Sequence, residues 1–300
     1  MQNQRKKIVN TPFLDSELIL NRDGSVYHLN LRADQIADHI ITVGDQERVS
    51  WVSAHFDTVE HRVQHREFIT HTGTYKGKRM TVISSGIGPD NIDIMLQELD
   101  AAVNINPITR LPNELPRKLQ IIRLGTSGAL QPDIEVDSFI VSSYAVGLDG
   151  AAHFYDLTFE PDEVALNTAM DRLLPADLNR PYTVRASQLL QQKLKQKNQH
   201  STIVSGITLT AGGFYAPQGR SLMLNNRYPD LTQTFERFEH LGERLCNFEM
   251  ESSMLFALGS ALGHECASIL NIIANRYKKQ FSADPQKSIH RLIEHVLSVF

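Results

Sequence analysis

Three hundred residues suffice for one large α/β domain with a well-buried core, or for two small ones. Hydrophobic residues at 41% and charged residues at 21% describe an ordinary soluble globular chain. A formal charge of −4 leaves no basic footprint for nucleic acid or for an anionic membrane surface.

Residues 1–20 read as an extended or disordered lead-in. The opening Met1-Gln2-Asn3-Gln4-Arg5-Lys6-Lys7 has no apolar core after its basic residues, so it is not a secretory signal. The apolar run Ile40-Ile41-Thr42-Val43 leads into Gly44-Asp45-Gln46-Glu47-Arg48. Arg79–Ser85 reads as a short strand closed by Gly86-Ile87-Gly88-Pro89. A helix follows, with Ile92, Met95, Leu96, Leu99 and Val103 on one face at helical spacing. Pro107, Pro112 and Pro116 make 104–117 an irregular connection. Leu119–Leu124 is an apolar strand ending at Gly125-Thr126-Ser127-Gly128, and Phe139–Val141 is another. The stretch 156–200 is expected to hold helices and a long excursion before a strand over Thr202–Leu209. Residues 250–262 read as a buried helix, Cys266–Ile273 as a strand, and 286–300 as an amphipathic helix carrying Ile289, Leu292, Ile293 and Val296. The most apolar stretch, 250–274, is interrupted by Glu251, His264 and Glu265 and does not read as a membrane span. Cys246 and Cys266 have neither the number nor the spacing of a disulfide framework or zinc site, and read as reduced core thiols in a cytoplasmic protein. Strands alternating with helices argue for an α/β fold, a single domain over 1–300 with helices covering a central sheet. In such folds a ligand sits beyond the strand ends, where the glycine-rich punctuation falls here.

Three groups of residues carry chemistry. In Phe214-Tyr215-Ala216-Pro217-Gln218-Gly219-Arg220, the primary amide of Gln218 both accepts and donates, while the Arg220 guanidinium only donates and stays charged. Together they complement the carbonyl, N–H and carbonyl edge of a uracil ring, with Phe214 as an aromatic face for stacking. Taken alone, a Gln and an Arg two apart in a glycine-bearing loop also fit simple solvation. The second group is arginines beside small residues: Arg48 after Gly44, Arg66 in His65-Arg66-Glu67-Phe68, and Arg123 before Gly125-Thr126-Ser127-Gly128. Guanidinium groups, hydroxyls and backbone N–H groups of this kind hold phosphate. Arg123 on an apolar strand needs a ligand or a structural ion pair, and the sequence leaves both open. The third group is Asn247-Phe248-Glu249-Met250-Glu251-Ser252. Glu251 suits the vicinal hydroxyls of a ribose and Met250 the sugar face. The alternative places Glu249 and Glu251 in the first turn of the following helix, where carboxylates favour the dipole. No Gly-x4-Gly-Lys-[Ser/Thr] loop and no Gly-x-Gly-x-x-Gly turn is present, so neither ATP-driven chemistry nor a dinucleotide cofactor has support.

These segments, Gly44-Asp45-x2-Arg48, His65-Arg66-Glu67-Phe68, Arg123–Gly128, Phe214-x3-Gln218-x-Arg220 and Asn247-x-Glu249-Met250-Glu251-Ser252, resemble the uridine phosphorylase family. That family belongs to the trimeric/hexameric-type nucleoside phosphorylase superfamily, and the resemblance runs in order from about Val26 to Arg276. Single motifs are shared with purine phosphorylases and nucleosidases, whereas the Gln-x-Arg pair is specific to the uracil branch. The resemblance implies a central mixed sheet covered by helices and a phosphate site of Gly44, Arg48, Arg123 and Thr126. Arg66 would reach the phosphate of a neighbouring subunit, and His28 the ribose 5′-hydroxyl across the same interface. Glu249, Met250 and Glu251 would bind ribose; Phe214, Gln218 and Arg220, beside Ser127 and Gly128, would bind the base. The implied reaction is reversible phosphorolysis of uridine, with deoxyuridine as a further candidate, using inorganic phosphate as co-substrate and no cofactor or metal. Sharing of sites implies a homo-oligomer, at least a dimer, with a hexamer as the larger option.

Purine-cleaving relatives carry a Ser-Asp pair after the late strand; the corresponding run here, Asn271-Ile272-Ile273-Ala274-Asn275-Arg276, has no aspartate. Val43 stands where bacterial members usually have proline, and Asn91 replaces a serine near their monovalent-cation site, so no such ion is expected. Arg276 matches a lid-side arginine. The alternatives are a purine nucleoside phosphorylase, a nucleosidase of the same fold, or a non-catalytic nucleoside-binding protein.

Overall fold

The computed structural model describes residues 10–196 and 201–300, so the basic opening residues and the end of the 156–200 stretch lie outside the described residues. Within the expected lead-in, residues 13–18 are pinned by Arg110, which donates to the carbonyls of Phe13, Leu14 and Leu18.

The apolar run at 40–43 forms β1 (His39–Val43), and the Gly44 turn leads into the short helix α1 (Glu47–Ser53). An antiparallel meander follows: β2 (Thr58–His65), β3 (Phe68–Tyr75) and β4 (Lys78–Ser84). The helix α2 (Pro89–Asn104) has proline in its first turn, where the missing N–H has no intrahelical partner to lose. It buries Ile92, Met95, Leu96, Leu99 and Val103, the stripe its spacing predicts. Next come β5 (Gln120–Ala129) and β6 (Phe139–Gly147), each longer than its apolar segment suggests. The stretch 156–200 resolves into α3 (Pro161–Asp171), β7 (Tyr182–Arg185) and α4 (Gln188–Leu194). Then follow β8 (Ile203–Thr210), α5 (Leu231–Glu236), β9 (Glu239–His240) and β10 (Glu243–Glu249). The chain closes with α6 (Ser252–Ala261), β11 (Glu265–Asn275), β12 (Gln280–Phe281) and α7 (Pro285–Val299). Every residue of α6 from Ser252 to Gly259 is buried, as expected of a helix that is apolar on all sides.

The strands join one mixed sheet in the order β12-β11-β6-β8-β10-β5-β1-β4-β3-β2, with β7 beside β6, β9 beside β10, and β11 also paired to β5. That last pairing closes β5, β10, β8, β6 and β11 into a ring, from which β1 to β4 extend as a wing. The consequence for function lies along β5. Its first half pairs in parallel with β1, ending at Val43↔Leu124, whereas its end pairs antiparallel with β10 at Gly128 and Ala129. Between them, residues 125–127 have no strand on that side. The sheet splits at a switch between neighbouring strands, the place where α/β sheets accept ligands. The main core packs α2, α6 and α7 against the sheet around Ile121, Ile122, Leu96, Leu258 and Ile293. Each such fully buried aliphatic side chain contributes roughly 1.5–3 kcal/mol.

Candidate active site

At the split lies a cleft of about 500 Å³. Gly44, Arg48, Arg123, Thr126, Ser127, Gly128, Phe214, Gln218, Arg220, Glu249, Met250 and Glu251 all line it. Of the residues expected at the site, only His28 and Arg66 lie outside it.

One end of the cleft seeks an anion. Arg123, 4% exposed, donates from Nε to Glu249 Oε2 at 3.2 Å and from Nη2 to Glu251. Its Nη1 is buried and makes no hydrogen bond. Two nitrogens of Arg123 therefore form the structural ion pair, and the third is left without an acceptor. Gly125 makes room for this side chain, since an added Cβ would stand 2.7 Å from Leu270 Cδ2 and 3.2 Å from Arg123 Nη2. Arg48, on α1, likewise has a buried, unbonded Nε. Burial pushes its guanidinium pKa down, Asp45 pulls it up and Arg123 pushes it down again. A guanidinium keeps its proton at neutral pH, so Arg48 and Arg123 set two positive charges at this end of the cleft. Ser127 adds a buried hydroxyl with no partner.

At the other end, the chain turns back through a short 3-10 segment, Ala216–Gln218, into Gly219. Gly219 has φ +77°, which favours glycine, and a Cβ there would lie 2.1 Å from Thr232 Oγ1. Gln218 is buried, and its Oε1 accepts from Arg220 Nη1 at 2.9 Å and from Arg276 Nη2 at 2.7 Å. With both lone pairs of the carbonyl engaged, the amide offers its N–H groups to the cleft. The Arg220 guanidinium lies 3.7 Å above the centre of the Phe214 ring, so the aromatic face expected to receive a base here carries the arginine. Arg276 is the residue that sequence reasoning undervalued. It reaches from the end of β11 to both the side chain and the backbone carbonyl of Gln218, over the Phe248 ring at 5.0 Å. Burial, then repulsion from Arg220, pushes it down to about 10. Gly128 is needed beside it, because a Cβ there would approach Arg276 Nε to 3.2 Å.

Between the two ends sits the 249–251 segment. Glu249 is not in the first helical turn but ends β10, and its carboxylate is saturated. Oε1 accepts from Thr210 Oγ1 at 2.6 Å; Oε2 accepts from Arg123 Nε and, at 2.9 Å, from the Glu251 N–H. The Ser252 N–H is shared between both oxygens at 3.0 Å. Glu251 is the N-cap of α6, and its Oε1 accepts the Gly88 N–H at the start of α2 at 2.8 Å. Burial pushes the Glu251 carboxyl up, and Arg123 opposes that shift.

His28 and Arg66 stand together elsewhere on the surface. His28 Nδ1 donates to Glu98 Oε1 at 2.6 Å, and His65 Nδ1 donates to the His28 carbonyl at 2.8 Å. Arg66 occupies the β2–β3 turn, exposed, with its guanidinium 5.4 Å from the centre of the Tyr27 ring. Asn91 donates to the Ile87 carbonyl at 3.2 Å. On the β11 wall, Ile273 and Ala274 face the cleft. Asn275 turns away, with Nδ2 donating to the carbonyls of Gln131 at 2.9 Å and Ile134 at 2.7 Å.

The chain is similar to several known proteins. The chain is 28% identical over 277 residues to the uridine phosphorylase of Thermococcus kodakarensis, covering 92% of this chain and 86% of that one. A solved nucleoside phosphorylase from Trypanosoma brucei, described as showing uridine phosphorylase activity, superposes with a TM-score of 0.84 at 27% identity. The match covers 94% of this chain and 99% of that one. A DeoD-type purine nucleoside phosphorylase from Roseobacter denitrificans is 27% identical, covering 82% of this chain and 85% of the relative. The model of the phosphorylase superfamily matches residues 38–298, and the chain is a member of that superfamily.

Proposed function

We propose that this protein is a uridine phosphorylase, which interconverts uridine and phosphate with uracil and ribose 1-phosphate. One observation carries the reading. Arg48 and Arg123, each with a buried N–H that no acceptor meets, share a single cleft with Gln218 and Arg220. Arg48, the Nη1 of Arg123, Thr126 and the backbone at Gly44 would hold the phosphate. Met250 and Glu251, at the join, would hold the ribose. Gln218, through its amide N–H groups, and Arg220 would face the uracil carbonyls, bordered by Ser127, Gly128 and Phe214. The phosphate oxygen forms a bond to the anomeric carbon while the glycosidic bond breaks. Its electron pair leaves with uracil and spreads onto the carbonyl oxygens. Fixed donors aimed at that developing charge stabilise the transition state, and the nearby Glu251 carboxylate favours cationic character at the sugar. Glu249, saturated by protein donors, serves by placing Arg123 and the 250–252 turn rather than by touching ribose.

The pyrimidine branch is favoured by the β11 wall. A purine leaves most readily when an acid protonates its ring nitrogen, but the cleft presents Ile273 and Ala274 there. Inorganic phosphate is the co-substrate, and no cofactor enters the reaction. Arg66 and His28 lie outside their own cleft and close to one another, as residues lent to a neighbouring copy would, so the working unit is at least a dimer. Both cysteines are buried and free, which fits a reducing compartment, the cytoplasm. Among the described residues, no helix is long and apolar enough to cross a membrane.

The test is a panel of uridine, thymidine, inosine and adenosine, each with and without phosphate. Uracil and ribose 1-phosphate should appear from uridine only when phosphate is present. Base release without phosphate would make the protein a nucleosidase, and hypoxanthine from inosine would make it a purine enzyme. Saturable uridine binding without turnover would leave a binding protein.

A further inference from the structure

Glu249 stands between Arg123 and a run of buried hydroxyl groups that touches no part of the cleft at its far end. Thr210, fully buried on β8, donates from Oγ1 to Glu249 Oε1 at 2.6 Å, and Thr210 Oγ1 in turn accepts the Ser253 N–H at 3.0 Å. The Ser253 hydroxyl lies 2.8 Å from the Tyr182 phenol oxygen and 3.3 Å from Asp149 Oδ2. Tyr182 donates to Asp149 Oδ2 at 2.8 Å. Asp149 lines a separate cleft of about 570 Å³ on the far side of the loop that carries Gln218 and Arg220.

The chain of contacts has a specific mechanical consequence. The terminal torsion of a glutamate is soft, so a carboxylate needs a donor on each oxygen to hold its plane. The Ser252 N–H sits 3.0 Å from both oxygens and does not choose between them. Thr210 alone engages Oε1 exclusively, opposite Arg123 and the Glu251 N–H on Oε2. Tyr182 is placed with equal care. A Cβ on Gly147 would stand 2.2 Å from Tyr182 Cζ, so only glycine at 147 admits the ring. Burial, and then the charge of Asp149, pushes the Tyr182 phenol well above its ordinary range, which keeps it a donor at any working pH.

We propose that Thr210, Ser253, Tyr182 and Asp149 are positioning residues for the anion side: they fix the Glu249 carboxylate, and through it aim Arg123 Nη1 at the phosphate. This rests on the phosphorolysis reading above. Thr210→Val keeps the shape and removes the hydroxyl. Calorimetric titration with inorganic phosphate alone should show affinity weakened on the order of tenfold, the loss expected for one hydrogen bond to a charged group. The KM for phosphate should rise in parallel and by a larger factor than the KM for uridine, because Glu249 also holds the 250–252 turn, and Thr210→Ser should restore both binding and kinetics. A threonine that only supported the fold would lower the melting temperature and the active fraction without this split. Tyr182→Phe, one link further away, should weaken phosphate binding in the same direction by about threefold. Thr210→Val protein with wild-type phosphate affinity overturns the proposal, as does a loss in which both KM values rise by the same factor. If Thr210→Val does not fold, unchanged phosphate affinity in Tyr182→Phe overturns it. Wild-type protein that binds phosphate but releases no uracil from uridine refutes the phosphorolysis reading instead, and the titrations still decide the positioning role.

Discussion

Arg220 is where the two ends of the cleft can be told apart by a single substitution. Its partners are Gln218 Oε1, the Phe214 carbonyl and the Phe214 ring, none of which belongs to the anion side. Arg220→Ala should therefore lower kcat for uridine on the order of 10²–10³-fold, the usual loss for one preorganised donor to a developing anion. Phosphate affinity, measured by titration, should survive; an equal loss there would show that the base and anion assignments are wrong. The thiols make a second test at this scale. Burial pushes the Cys246 pKa from the ordinary 9.0 up to about 12, and Cys266 higher still. Above pH 9 the unfolded chain loses these protons while the folded chain keeps them, so the contribution to stability is complete below pH 9 and lost as pH rises toward 12. Iodoacetamide at pH 8 should leave both cysteines unmodified in the folded protein and label both after denaturation. Rapid labelling of the native protein would contradict their burial.

Among the elements, the loop from Gly212 to Asp230 depends most on backbone geometry. Gly219→Ala places a Cβ in a left-handed conformation, which costs roughly 1–2 kcal/mol for an ordinary residue, and drives it into Thr232. Because Gln218 and Arg220 flank it, the variant should raise the KM for uridine more than its modest loss in melting temperature accounts for. An unchanged uridine KM would mean that the loop re-forms around the alanine. The same scale explains what was legible in the sequence. Helices α2 and α7 and strand β1 announce themselves by apolar spacing, because one of their faces or both lie in the core. The meander strand β2 did not, since Thr58, Glu60, Arg62 and Gln64 line its exposed face and the buried pattern is weak. Charged side chains suit such a sheet edge. For β6 the sequence suggests a strand only as far as Val141, because Ser142 and Ser143 follow. Inside the strand ring, Ser142 finds Thr208 at 2.6 Å and Ser268 at 2.7 Å, so the polar run continues a strand instead of ending it. For β5 the sequence suggests an end at Gly125, where the glycine run resembles a turn. Those glycines instead give space to Arg123, Leu270 and Arg276 within a continuing strand. The lining of the cleft is legible residue by residue, whereas the contact of Arg276 with Gln218 is not, because it joins positions 58 apart in the chain.

At the scale of the whole molecule, the cleft and the Tyr27–His28–His65–Arg66 group pose a question that one copy of the chain does not answer. The group is held in a defined shape: Glu98 accepts from the backbone N–H groups of His28 and Leu29 as well as from the His28 ring. Arg66, however, projects from a tight turn with φ +53°, and among the described residues its guanidinium has Tyr27 beside it. An exposed guanidinium with no carboxylate partner among the described residues suits a surface that meets another anion-binding site. If a neighbouring copy supplies Arg66, each cleft draws on two chains, and defects in different chains can be combined. Arg66→Ala and Arg220→Ala proteins should each be nearly inactive alone. A mixture of the two, dissociated and reassembled, contains clefts that take Arg220 from one chain and Arg66 from the other. At random pairing about one cleft in four is intact, by simple combinatorics, so roughly a quarter of wild-type activity should return for a preparation made in equal amounts. Subunit exchange is checked independently by mass spectrometry of the mixed assemblies. Exchange without recovery of phosphate-dependent uracil release would confine the active site to a single chain and remove Arg66 from it.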